Sequence, residues 1–354
     1  MLRVHMASGK EVFSMELSDF LDQNPFEFLP VRALKQQLRD RCGHPRFRQR
    51  LLLQDGTELR EDGDLDAPVD LQLVLLPFCE TSPQQDDEVF RAVRFGHADK
   101  VEQLLQRRHD PNVTDNAYKW TPLHTACAKG CIPIVQLLLE ASADKDSSGC
   151  YSATPLSVAS RCGRIDVVKL LLEAGVDKDK PNAHGETPLA VASDSCTEVA
   201  VVRLLLDARA DTNKANKNGE TPLLVASLQN CIRVVRLLLE ARADHEQSDC
   251  NGEGPLLVAS EKGHSDVVQL LLEARADKDR ADQSGETPLT VASAHCRPNV
   301  VRLLLEARAD QGKSNGEGKT AWHLASIRNH REVLALLSDE PSAKRRKVEV
   351  APKQ

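Results

Sequence analysis

His124, Cys127 and Cys131 follow one another at spacings of three and four residues, which can gather a nitrogen and two sulfurs on one side of the chain. That donor set suits zinc, but a closed zinc site needs four ligands and no fourth is evident. Cys127 also fills a recurring slot for a small residue, so the group is expected to pack rather than to bind metal. A second candidate is Gly312-Lys-Ser-Asn-Gly-Glu-Gly-Lys-Thr320, which looks like a phosphate-cradling loop. Such a loop needs a glycine five residues before Gly318, and that position is Lys313. The third is Lys344-Arg345-Arg346-Lys347. Four consecutive cations on a polar tail fit an acidic receptor groove, and this run is a nuclear-signal candidate, with a merely solvated tail as the alternative. No Ser/His/Asp or Cys/His arrangement stands out among the eleven His. The chain is expected to be no enzyme, with no catalytic residues, cofactor or metal.

Composition narrows the class. Lys and Arg total 46 against 53 Asp and Glu in 354 residues, for a net charge of −7. A protein that binds nucleic acid directly along its length would carry a basic excess. Phe, Trp and Tyr make only 3% of the chain. All eight Phe lie between Phe13 and Phe95, which leaves Tyr118, Trp120, Tyr151 and Trp322 beyond. Most of the core must come from Leu, Val and Ala. No apolar run approaches the ~18 residues that span a bilayer. The N-terminus lacks the apolar core of a signal peptide, and ten Cys show no paired spacing. The expectation is an intracellular chain, cytoplasmic and/or nuclear, with free thiols and no membrane contact.

The elements that position these groups repeat. Thr-Pro-Leu begins at Thr121, Thr154, Thr187, Thr221 and Thr287, with degenerate copies at Gly254 and Thr320. The steps are 33 residues, except one of 34 after Thr187. Leu triplets end at Leu139, Leu172, Leu206, Leu239, Leu272 and Leu305. Each Thr caps a helix whose first position suits Pro. A second, apolar helix follows, then a polar link with a turn signal such as Asn218-Gly219. One such unit cannot bury its own faces, but a stack can.

These residues resemble ankyrin repeats over about 250 residues, because period, Thr-Pro-Leu, turn glycine and Leu triplet all agree. The resemblance implies eight units, the first (from about Glu88) and the last (Thr320 to Leu337) being caps. It also implies a protein partner bound on the concave face made by inter-repeat tips and first helices. Departures matter. The family's His slot holds His124 and His323, but Ser157, Ala190, Leu224, Leu257 and Thr290 between them, so a bracing His bond should be missing there. The glycine expected after the second helix is kept at Gly175 and replaced by Ser142, Arg209, Arg242, Arg275 and Arg308. At the end of the first helix Cys296 does not fit the Gly/Asn rule, and the Thr187 unit carries an extra residue near Asp194–Glu198. Those two turns are expected to be irregular.

The first eighty residues differ. Leu2, Val4 and Met6 alternate as in a strand, and Val12 to Leu17 can return as a second. Val31, Leu34 and Leu38 take helical spacing up to Gly43, and Arg50–Leu53, Leu59 and Asp70–Leu76 follow as strands. The order resembles ubiquitin over residues 1–78. The link Ser18–Pro30 is longer than the family's, and Leu76-Pro-Phe78 runs on without a terminal Gly-Gly, so conjugation is not expected. Leu52 and Val74 match two members of ubiquitin's apolar patch. Ala7 takes the third place and is small, so a ubiquitin receptor would bind weakly or not at all.

The expected organisation is a ubiquitin-like domain (1–78), a linker (79–87), an α-solenoid of ankyrin repeats (88–338) and a disordered basic tail (339–354). The expected function is a monomeric adaptor or scaffold. The ubiquitin-like part would engage separate machinery, such as a ubiquitin-pathway or proteasome receptor. The alternative is a nuclear regulator acting on chromatin-associated proteins. Tyr118, Trp120 and Tyr151 on adjacent tips are the candidate anchors, since Tyr and Trp are enriched in binding hot spots. Cover for the array's N-terminal end is their other reading. Lys129, Arg161, His184, Glu186, Lys217, Glu220 and Gln229 complete the candidate surface. Trp322, in a Leu slot, is expected in the core.

Overall fold

The computed structural model describes residues 1–23, 30–61, 65, 69–79, 82–115 and 117–338. It contains two compact units, Met1–Ala183 and His184 onward.

The first unit begins with β1 (Leu2–Met6), β2 (Glu11–Met15), α1 (Leu17–Gln23), α2 (Pro30–Cys42), β3 (Gln49–Leu52), β4 (Glu58–Leu59) and β5 (Asp70–Leu75). The strands form one sheet in the order β2-β1-β5-β3-β4. β1 and β5 are parallel, with Val4 opposite Leu71, and the other pairs are antiparallel. Alternation works as read: Leu2, Val4, Phe13, Leu51, Leu71 and Leu73 point into a core closed by Val31, Leu34 and Leu38 of α2. Gly43 leaves α2 at φ 72°, a left-handed turn that glycine adopts without strain. This arrangement is compatible with the ubiquitin-like β-grasp. One element was unforeseen. Leu17 starts α1 rather than ending β2, and Phe20 of that helix is buried edge-on against Phe13, ring centroids 6.3 Å apart.

The same unit continues with helix pairs. These are α3 (Pro83–Arg94) with α4 (Ala98–Gln106), α5 (Pro122–Lys129) with α6 (Ile132–Glu140), and α7 (Pro155–Arg161) with α8 (Ile165–Glu173). The helix α3 starts inside the stretch 79–87 expected as a linker. Ser82 and Gln85 form a capping box there, with Pro83 in the first turn. Those polar residues were cap signals, not linker composition. Cys79 is tied down as well, its N–H donating to Arg108 O at 2.9 Å.

The second unit holds α9 (Pro188–Ser193) with α10 (Val199–Asp207), α11 (Pro222–Leu228) with α12 (Ile232–Glu240) and α13 (Pro255–Lys262) with α14 (Ser265–Glu273). It ends with α15 (Pro288–Ala294) with α16 (Pro298–Glu306) and α17 (Ala321–Ile327) with α18 (Arg331–Ser338). The Leu of each Thr-Pro-Leu is buried, as are the Val pairs of α8, α10, α12, α14 and α16, so small aliphatic residues do build the core. Trp322 departs from its expected burial. It is 49% exposed, on the last described helix pair, where no described residue covers that slot.

Every turn that lost its glycine keeps the left-handed backbone. Ser142, Arg209, Arg242, Arg275 and Arg308 have φ between 58° and 68°, beside Gly175 at 68°. Cys296 adopts φ 54° and so obeys the rule it breaks by residue type. The turn after α9 is where the extra residue sits, and there Cys196 is disulfide-bonded to Cys231 at the start of α12. That corrects the expectation of free thiols for this pair. Their spacing of 35 matches neither the 33-residue step nor the single 34-residue step, so no pattern marks the pair.

Candidate partner-binding site

The site is built on the tips between helix pairs. Successive tips are joined by backbone bonds. Cys150 N donates to Tyr118 O at 2.7 Å and Ala183 N to Tyr151 O at 2.6 Å in the first unit. In the second, Lys217 N donates to His184 O, Cys250 N to Asn218 O, Gln283 N to Asn251 O and Gly316 N to Ser284 O. Glycine at these tips serves close approach. A Cβ on Gly219, at φ 84°, would stand 2.8 Å from Cys250 N. Lys119 and Ser152 replace that glycine and still take φ 50° and 54°.

A second ladder of side chains stitches the bases of the tips. Asn112 Oδ1 accepts from Asp144 N at 2.7 Å, Asp146 Oδ1 from Asp177 N at 2.9 Å, and Asp279 Oδ1 from Asp310 N at 2.7 Å. The repeat motifs do not flag this ladder, whose sequence signal is an Asp, Asn or Glu 31 or 32 residues before each donating residue.

The His brace is made at His124, while His323 forms only a local capping box with Thr320. Thr121 N–H donates to His124 Nδ1 at 3.2 Å, so the other nitrogen, Nε2, carries the proton and donates to Ala153 O at 2.9 Å. Burial holds the His124 imidazole below the usual histidine range. Where Ser157 and Thr290 stand instead, they form only a local capping box with Thr154 and Thr287. The tip-to-tip backbone bonds carry the bracing there.

The same geometry disposes of the zinc reading. Both His124 nitrogens are engaged, and burial pushes the Cys127 thiol well above its usual range, away from the thiolate that zinc takes. Among the described residues no group of three or more His, Cys, Asp or Glu side chains is placed to hold a metal ion. The Gly312–Thr320 segment is a tip. Lys313 Nζ donates to Asp279 O and Lys319 pairs with Glu317.

The candidate anchors separate by exposure. Tyr118 is 59% and Tyr151 69% exposed. Trp120 is half-buried, stacked on His124 at 6.1 Å between centroids. A Cβ on Gly149 would meet Trp120 Cδ1 at 2.7 Å, so the indole fills the space that a glycine leaves. Trp120 therefore packs its tip, while the two tyrosines face solvent. Lys129 and Arg161 are exposed at the ends of α5 and α7 in the same unit. The other candidates lie in the second unit. His184, Lys217 and Gln229 are exposed; Glu186 and Glu220 are half-buried. Gln229 Nε2 donates to Asp194 Oδ1 on the turn after α9, and Glu220 accepts from Asn216 Nδ2 within its own tip, so both are already engaged. Leu52 and Val74 lie half-buried on the sheet face opposite the core, with Ala7 exposed. Lys344–Lys347 lie outside the described residues.

A family model for ankyrin repeats in three copies matches residues 89–182, 177–249 and 256–347. The chain belongs to the ankyrin-repeat family. Ankyrin repeats are a protein–protein interaction module, which agrees with a surface of ordered tips. The chain is also similar to the 2-5A-dependent ribonuclease of Mus musculus, at 39% identity over 64 residues. That stretch is 18% of this chain and spans only 9% of the length of the relative. No described helix is long and apolar enough to cross a membrane.

The repeats also hold the sheet-bearing region. Arg46, on a 3₁₀ turn before β3 and 1% exposed, is gripped by Glu61, by Glu102 of α4 at 2.8 Å and by Glu140 of α6 at 2.9 Å. Arg32 of α2 reaches the same two repeat carboxylates at 3.3 and 3.6 Å. A cleft of about 470 Å³ beside this cluster is lined by Arg32, Lys35, Arg46, Glu61 and Glu102. Burial lowers the Lys35 ammonium from its ordinary range, against the opposing pull of Glu61.

Proposed function

We propose that this chain is a non-enzymatic adaptor whose repeats capture a client protein on the face made by tips and first helices. The observation that supports it is the pair of exposed tyrosines, Tyr118 and Tyr151, on tips locked to their neighbours by backbone bonds. A ring held on a rigid support loses little freedom on binding, which is what makes an aromatic an effective anchor. The ubiquitin-like region would engage separate machinery through the face bearing Leu52 and Val74, with Ala7 weakening any ubiquitin-receptor contact. Affinity capture from the native cell, comparing the wild-type chain with Tyr118→Ala/Tyr151→Ala, tests the first claim. Specific partners should drop out of the variant; an unchanged partner set would defeat it.

A nuclear regulatory role is the second reading, and the Lys344–Lys347 run favours it. Cytoplasmic and nuclear location are both open to an adaptor of this kind. A fluorescent fusion should lose nuclear signal on Lys344→Ala/Arg345→Ala/Arg346→Ala/Lys347→Ala, and a fusion excluded from the nucleus with its tail intact would remove the reading. The similarity to a ribonuclease covers too little of that protein for its activity to be carried over.

A further inference from the structure

We infer that the first-unit tip-and-helix face takes a short acidic segment of its partner. This rests on the partner-binding reading above and adds the chemistry of what binds. The repeat register sets the layout. Arg94 and Phe95 precede Gly96, Lys129 precedes Gly130, and Arg161 stands two before Gly163. Those glycines all take left-handed φ values of 64–79°, and although Lys129 stands one place nearer its glycine, each of the three cations is the last residue of its helix, α3, α5 or α7. First helices of successive pairs pack side by side, which puts the three cations in one row.

All three cations are exposed, and none is paired with a described carboxylate. Phe95 is 67% exposed in the same row, and Tyr118 and Tyr151 are exposed on the tips before α5 and α7. The equivalent cations in the second unit are spent. Lys262 lies 3.5 Å from Glu261, and Arg328 donates to Ala294 O at 2.7 Å. Unpaired positive charge beside exposed rings is therefore a property of the first unit's row. In a chain of net charge −7, such a row is a local inversion of sign.

Size follows from packing. Neighbouring helices stand about 8–10 Å apart, so three in a row span roughly 16–20 Å. An extended chain covers that in about five or six residues at roughly 3.3 Å each. The occupant is thus an extended segment with Asp or Glu at about every second or third residue, facing three cations, and apolar groups between them to meet Phe95 and the tyrosine rings. An acidic peptide fits better than RNA, whose binding would call for a longer basic track than three cations.

The test uses the full chain, immobilised, to select from a phage-displayed library of random 12-residue peptides. The selected set should be enriched in Asp and Glu over the starting library. Its strongest member, fluorescein-labelled, should lose about tenfold or more in affinity against Arg94→Glu/Arg161→Glu, and weaken steeply between low and high salt, as exposed charge pairs do. Neutral or basic selected peptides would overturn the inference, as would charge reversal without effect or tighter binding of labelled oligouridylate. Tyr118→Ala/Tyr151→Ala separates the two readings. Affinity lost there but kept on charge reversal refutes the acidic segment and leaves the binding face standing. Affinity kept in both variants refutes both.

Discussion

Arg46 Nη2 lies 2.8 Å from Glu102 Oε1, and that pair ties the sheet-bearing region to the first helix pair of the repeats. The guanidinium is 1% exposed and lies 3.9 Å from the Phe47 ring centroid. Three carboxylates meet this one cation, with Arg32 and Lys35 balancing the remainder. Removing one member of a buried ion network leaves the others uncompensated, at a cost of about 3–5 kcal/mol. Arg46→Ala should therefore lower the unfolding free energy of the first unit by that order, read as a fall in its urea midpoint. Hydrogen exchange should rise in β3 and α4 together. A variant with wild-type exchange in α4 would show that the contact does not couple the two regions.

This relationship is long-range, and no local sequence pattern encodes it. Period 33 revealed the helix pairs, and alternation in Leu2-Val4 and Leu71-Leu73 revealed the sheet, because local patterns encode local structure. Arg46, Glu61, Glu102 and Glu140 are up to 94 residues apart and carry no pattern. The candidate site was half legible. Rarity of rings pointed to Tyr118 and Tyr151, but the packing of Trp120 against Gly149 depends on a neighbouring tip that periodicity does not describe. The α1 helix was missed because its apolar residues fall in a segment that the ubiquitin resemblance treats as a link.

His124 gives the first repeats an acid-sensitive joint. Burial holds its folded-state pKa below the unfolded value of 6.5. Between those two values the unfolded chain binds more protons than the folded one. Stability is therefore fully present above about pH 6.5 and falls as pH drops from there toward the folded pKa. Protonation would also set an Nδ1–H against the Thr121 N–H that now donates to it. His124→Ser should flatten this slope, since Ser157 makes the equivalent capping box without titrating. Burial lowers His109 in the same direction, so part of the slope should remain. Urea midpoints at pH 5, 6, 7 and 8 for both proteins decide it; parallel curves would exclude His124 as the source.

The Cys196–Cys231 bond closes the one turn with an inserted residue. Its sequence separation is 35, and a loop of that size loses enough unfolded-state freedom to stabilise by up to about 4 kcal/mol in the chain-entropy model. The oxidised chain should show two fewer titratable thiols under denaturing conditions than the reduced one. Cys196→Ser/Cys231→Ser should lower the melting temperature of the oxidised protein and abolish its response to reductant. Cys231 is 1% exposed while Cys196 is exposed, so the single variant Cys196→Ser isolates loss of the bond from loss of packing. Equal thiol counts with and without reductant would mean that the bond does not form.

Arg242 has φ 62° at the turn after α12, where Gly175 stands at the corresponding turn after α8 with φ 68°. A Cβ in that conformation costs roughly 1–2 kcal/mol through its contact with the following carbonyl. Glycine removes the contact but gives the unfolded chain more freedom, which takes back about 0.4–1 kcal/mol. The balance favours glycine by roughly half to one kcal/mol. Arg242→Gly should raise the urea midpoint, and Arg242→Val should lower it, since a β-branched residue tolerates positive φ least. Repeating the exchange at Arg209, Arg275 and Arg308 should add nearly independently, because each lies on its own turn. A destabilised Arg242→Gly would mean that the arginine side chain contributes more to this turn than its backbone strain takes away.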